Sequence, residues 1–220
     1  MRTPRDIYAE YHIPPWLQLH QLRVAAVGKM VCEGFKDSIN GDLVVATCLV
    51  HDIGAIVKFD FTFKSHETLQ NLCPPEDVPY WVNVQKDMRA RYGEKEYPAS
   101  DAIIGELGLE RVKEFFNKMG FAKMQSTLAE DHIEALAAQY ADMRVGPYGI
   151  LPLRERLADI LARYSATYVR EGRSEESTTY LPTALLIEKR LFERSSLRPE
   201  NITDASVAPI IEELWEYPVA

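Results

Sequence analysis

Asp42-Leu43-Val44-Val45-Ala46-Thr47-Cys48-Leu49-Val50-His51-Asp52-Ile53-Gly54 is apolar almost throughout and then turns polar at a histidine–aspartate pair. The run to Val50 predicts a mostly buried helix, with Asn40 or Asp42 as its N-cap and Gly54 as its stop. Adjacent residues of a regular helix point about 100° apart, so His51 and Asp52 converge on one ligand only where the helix is ending. A histidine–aspartate pair that merely caps a helix is the competing explanation, and the rest of the chain has to decide between them.

Working outward, helical spacing continues on both sides. Thr3-Pro4 opens a short helix, and Pro14-Pro15 ends that unit and starts a second that runs from Trp16 to Phe35 with His20 inside it. Lys58 to His66 alternates aromatic and polar residues, but a lone strand has no partner in so helical a chain, so the segment is expected to be a loop. Pro74-Pro75 opens a helix closed by Gly93, and Pro98 or Ser100 opens another broken by Gly108. Glu110 to Met119 makes the next. Thr127, with Glu130 as a capping box, predicts one long helix over Leu128–Val145. Helices over 152–170, 175–197 and 206–215 complete the expectation. The fold class is thus all-α, roughly ten helices in one domain over 1–220, with a core at 15–150 and peripheral helices at 151–220.

Composition narrows the function. The 220 residues are 46% hydrophobic and 10% aromatic, ordinary values for a globular chain. Three cysteines, Cys32, Cys48 and Cys73, are too few for a disulfide framework and fit a reducing cytoplasm. No window approaches the ~18 apolar residues that span a bilayer, and Met1-Arg2-Thr3-Pro4 leads into no signal-like apolar stretch. A formal charge of −8 argues against a nucleic-acid polymer or an anionic membrane as partner, while leaving room for a small phosphorylated ligand held by a few local cations.

Three motifs in order then carry a resemblance. Leu19-His20-Gln21-Leu22-Arg23, Leu49-Val50-His51-Asp52-Ile53-Gly54 and Tyr140-Ala141-Asp142-Met143-Arg144 resemble, in sequence and context, the histidine, histidine–aspartate and final-aspartate motifs of the HD superfamily of metal-dependent phosphohydrolases. The doublet looks like the HDIG variant, and the resemblance covers about residues 15–150. It implies an HD-type helical bundle in which His20, His51, Asp52 and Asp142 hold a divalent transition metal. Two imidazoles and two carboxylates suit Mn, Fe, Co, Ni or Zn and leave positions open for water and a phosphate oxygen. Asp52 would also orient or deprotonate the water. Arg23, three residues from His20, Lys58 on the loop after the doublet, and Arg144 are the cations expected to bind the substrate phosphate, with Lys64 also near in sequence.

Binuclear members of that superfamily carry further histidines between the doublet and the last aspartate. Here Tyr97 stands where one of them often does, which favours a single ion. His132 lies about 15 Å along a continuous helix from Asp142, too far to be a ligand. His66 is on the loop, and His12 precedes Pro14-Pro15. The 5′-nucleotidase-like members place a glutamate shortly after the doublet; Ile53–Val57 offers none, which leaves Asp60 or Glu67. The expectation is a cytoplasmic phosphohydrolase acting through a metal-activated water on a small phosphorylated metabolite, most readily a nucleotide, in a chain able to form a homodimer. A di-iron oxygenase on the same scaffold and a non-catalytic nucleotide-binding domain are the alternatives.

Overall fold

The computed structural model describes residues 2–62, 71–170, 172 and 178–219; Phe63, Lys64, His66 and Glu67 lie outside the described residues. Among these the chain is all-α. Its helices are α1 (Pro4–Glu10), α2 (Pro15–Gly34), α3 (Gly41–Val50), α4 (Val78–Tyr92), α5 (Glu96–Glu106), α6 (Glu110–Phe116), α7 (Met124–Ala129), α8 (Ile133–Asp142), α9 (Leu153–Arg170), α10 (Tyr180–Phe192) and α11 (Asp204–Leu214). The only β-type pairings among the described residues are isolated bridges, Phe35 with Ser195 and Val145 with Ile150. No helix among them is long and apolar enough to cross a membrane.

The ends of the helices form where local chemistry calls for them. Thr3 and Asp6 make a reciprocal capping box on α1, Asn40 accepts the Leu43 N–H to cap α3, and Thr203 with Ser206 caps α11. At the centre, α2 packs along α3, α8 and α11, and α3 along α8 and α6. Gly28 permits the α2–α3 crossing, because a Cβ there would stand 3.2 Å from both Cys48 Sγ and Val44 Cγ1. Leu22, Val24, Val27, Leu49, Val50 and, from α8, Tyr140 are all fully buried in the core. Each large apolar side chain withdrawn from water stabilises the fold by roughly 1.5–3 kcal/mol.

Three expectations are corrected. The long helix over Leu128–Val145 is two helices: Asp131 turns into the left-handed region at φ 53, and His132 becomes the residue before α8. Arg190 Nη1 holds the Asp131 carboxylate at 2.8 Å across that break. Thr127 is no N-cap; its hydroxyl donates to the Lys118 carbonyl. Nor are the last helices peripheral. α10 packs on α7 and α8, α11 lies on α2, and Ala184, Ile187, Leu191, Val207 and Leu214 are buried with the core.

Gly54 does not stop α3 in the expected way either. Its φ is −91, so no left-handed turn is made. Glycine is needed there because α5 comes close: a Cβ would fall 2.5 Å from the Ser100 N and 2.7 Å from the Ala99 Cβ. The Gly54 N–H donates to Ser100 Oγ at 3.0 Å, which ties the doublet and the 3-10 turn Ala55–Lys58 to α5.

Candidate metal centre

His20 comes from α2, His51 and Asp52 from the turn just past the end of α3, and Asp142 from the last position of α8. The mutual packing of those three helices brings together residues 122 positions apart in sequence, 142 minus 20. His20 Nε2 and His51 Nε2 each lie 3.5 Å from the same atom, Asp142 Oδ1. Each is also 3.7 Å from an oxygen of Asp52, His20 from Oδ2 and His51 from Oδ1. The two rings stand 5.5 Å apart at 47°.

These spacings fit an ion. Ligand atoms that each sit about 2.0–2.2 Å from one metal are roughly 3–3.5 Å from one another. His20, His51 and Asp52 offer ligand atoms all within 4.8 Å of each other, and Asp142 Oδ1 joins both imidazoles at 3.5 Å. His51 Nε2 is buried and has no hydrogen-bond partner, although polar atoms so placed are nearly always satisfied. On the other side of the ring, Nδ1 faces the Cys48 carbonyl at 2.8 Å. Donation from Nδ1 to that carbonyl leaves the Nε2 lone pair directed at the carboxylates, the arrangement found behind metal-binding histidines.

Electrostatics of these side chains agree. Burial opposes charging His51, but Asp52 and Asp142 outweigh it and lift its pKa to about 9. Burial likewise favours the neutral acid at Asp142, yet the two imidazoles hold its carboxyl well below the usual range. Asp52 is lowered too, against burial, by His51 and then Lys58. A dication would replace the proton that the imidazoles otherwise share with these carboxylates.

Residues 18–73 match the HD domain family. That stretch of the chain is similar to an HD domain. The matched stretch holds His20, His51 and Asp52, and Asp142 lies beyond it. HD domains bind divalent metals and are for the most part metal-dependent phosphohydrolases. No curated protein and no solved structure matches the chain.

The cations expected around this centre differ in placement. Lys58 ends the 3-10 turn after the doublet and donates to Glu96 Oε1 at 2.5 Å; burial works against its charge, but Glu96 and Asp52 outweigh burial and raise its pKa. Arg23 leans towards Asp204 Oδ1 at 3.8 Å, on the seam between α2 and α11. Arg144 is not at the centre's disposal. Buried at 3% exposure, it donates from Nε to Leu151 O, from Nη1 to Tyr140 Oη and Pro199 O, and from Nη2 to Ile202 O. It fastens the end of α8 to the C-terminal segment.

Glu96 is the residue the sequence did not disclose. Burial pushes its pKa up and Lys58 pulls it down, and with Asp52 alongside the balance stands at about 7. It immediately precedes Tyr97, the position that seemed to matter. Tyr97 itself turns away: it stacks on Phe116 at 4.7 Å, donates to Asn117 Oδ1 and accepts from Lys123 Nζ at 2.7 Å. His132 pairs with Glu130 at 2.9 Å and Lys118 at 3.1 Å, and His12 meets the Tyr80 hydroxyl at 3.3 Å. Asp60 accepts from the Thr62 N–H, holding the loop after the 3-10 turn.

Proposed function

We propose that the chain is a metal-dependent phosphohydrolase in which His20, His51, Asp52 and Asp142 hold one divalent transition metal and the substrate is a small phosphorylated metabolite, a nucleotide above all. The observation that carries it is the shared approach of two imidazole Nε2 atoms to Asp142 Oδ1 at 3.5 Å with Asp52 at 3.7 Å from both. A bound dication supplies an acidified water and takes up charge on a phosphoryl oxygen. The protein supplies the rest. Asp52, 26% exposed at its side chain, orients the water on its open edge, and Glu96 beside it is poised near neutrality to take or return a proton. Lys58 keeps its positive charge between those two carboxylates and faces the incoming phosphate.

A cleft of about 410 Å³ supports a nucleotide. Lys58 forms the edge next to the centre, Phe59, Asp60, Phe61, Thr62, Val82, Gln85 and Arg89 line the rest, and the four metal-holding residues lie outside it. Such a mixture of aromatic faces and a few polar groups suits a base or sugar, with the phosphate end towards Lys58. With a net charge of −8, the preferred substrate is small and not a nucleic-acid polymer.

The test is metal analysis of the purified chain followed by phosphate release from nucleotides, sugar phosphates and alarmones with Mn²⁺ or Co²⁺ added. Release that disappears in Asp52→Ala is expected. Metal bound with no release from any substrate overturns the proposal. One observation favours a second reading: Glu96 next to Asp52 adds a carboxylate where a second ion would need one. A ratio of two metals per chain would select it, and with it the di-iron alternative.

A further inference from the structure

Helix α9 brings a polar face to the backbone that follows Asp142. Arg156, Asp159 and Arg163 recur at spacings of three and four and so share one side of the helix. Arg156 Nε donates to the Val145 carbonyl at 2.7 Å, three residues beyond Asp142, and Nη1 donates to Asp159 Oδ2 at 2.7 Å. Arg163 grips the same carboxylate with both ends of its fork, Nε to Oδ1 at 3.0 Å and Nη2 to Oδ2 at 2.7 Å. One carboxylate therefore holds two guanidinium groups, which leaves a net positive charge on this face.

Arg156 differs from Arg144 in what is left over. Its side chain is 11% exposed, and Nη2 makes no hydrogen bond to a described residue. The Val145 N–H in turn donates to the Asp142 carbonyl at 3.1 Å, so the Nε anchor of Arg156 sits one backbone hydrogen bond from the last residue of α8, and the guanidinium makes no ion pair with the Asp142 carboxylate.

We propose that Arg156 binds the substrate's phosphate on the Asp142 side of the centre, with Asp159 and Arg163 as the positioning residues that aim it. A planar fork with Nε and Nη1 fixed offers its remaining N–H bonds in a set direction, which suits a tetrahedral oxyanion. Lys58 meets the same group from the Asp52 side. This rests on the phosphohydrolase assignment above and deepens it.

The experiment uses the full chain loaded with Mn²⁺, with inorganic phosphate as the probe in calorimetric titration and 4-nitrophenyl phosphate for kinetics. Arg156→Gln is expected to keep its metal and weaken phosphate binding by roughly 10-fold or more, as for the loss of a charge-assisted hydrogen bond. KM should rise more than kcat falls. Arg156→Lys should recover part of the affinity, and Asp159→Asn, which frees the fork, should weaken binding by a few-fold with Arg156 still present. A purely structural role would lower the melting temperature and leave phosphate affinity in the folded fraction unchanged; that result overturns the proposal. Should Arg156→Gln not fold, Arg156→Lys decides, since parental affinity in it overturns the proposal equally. A parent that binds metal and phosphate but cleaves no phosphoester would instead overturn the hydrolase assignment, leaving the Arg156 contact to be read from the titrations.

Discussion

Asp142 ends α8 and Arg144 stands two residues beyond it, opposite in charge, and the fold gives them opposite surroundings. Asp142 meets imidazoles from α2 and α3 and remains 28% exposed. Arg144 is buried among three backbone carbonyls and a tyrosine hydroxyl. Carbonyls contributed by fixed backbone keep a cation in place, whereas groups that are themselves titratable leave a carboxylate able to exchange its partner for an ion. Proximity in sequence to a metal motif therefore says little about which charge takes part in chemistry.

The largest way to break that comparison lies on the Asp142 side. Asp52→Ala should retain helicity by circular dichroism but lose bound metal, with affinity falling at least on the order of 100-fold, since even outer partners of metal ligands are worth 10–100-fold. Stoichiometric metal in that variant would end the four-ligand assignment. Arg144→Met should do the reverse. With several buried carbonyl acceptors stranded, the chain should lose about 3 kcal/mol of stability in denaturant titration, while the folded fraction binds metal as before.

Proton linkage sharpens the contrast further. His51 has a folded pKa of about 9 against an ordinary 6.5, because the two carboxylates overcome burial. A raised pKa stabilises the fold fully below pH 6.5, and the contribution is lost as pH climbs through about 9. The thermal midpoint of the chelator-treated chain should therefore fall between those values. Metal affinity should rise over the same window, as the competing proton leaves. The smallest effect is expected at Arg23. Its 3.8 Å approach to Asp204 is a long pair with a half-open partner, so Arg23→Gln should change stability by no more than about 1 kcal/mol. A KM for 4-nitrophenyl phosphate that moves in that variant would place Arg23 beside the substrate; an unmoved one would assign it to the α2–α11 seam.

Much of this was legible in the sequence because it is local. The apolar run ending at His51-Asp52, the proline-opened start of α2 and the cap at Asn40 each depend on neighbours within a turn or two. What could not be read depends on tertiary approach. Gly54 looked like a helix stop, yet its smallness answers to the backbone of α5. The break at Asp131 opposes a strong helical pattern and is anchored by an arginine 59 residues away. Glu96 was hidden by a register of one: Tyr97 drew the comparison, and helical geometry turns adjacent residues about 100° apart, so its neighbour faces Asp52. Helices α9 to α11 carry no motif, and their part in the core follows from what they cover.

The bond from His51 Nδ1 to the Cys48 carbonyl has a bearing on mutational tolerance. Its acceptor is main chain, so no substitution at position 48 short of one that deforms the helix can remove it. The imidazole's bearing is inherited from the segment itself, and a substitution at position 48 is felt instead as volume against Gly28. Burial also keeps the Cys48 thiol protonated, so a soft ligand close to the centre does not compete with the hard ones for the ion.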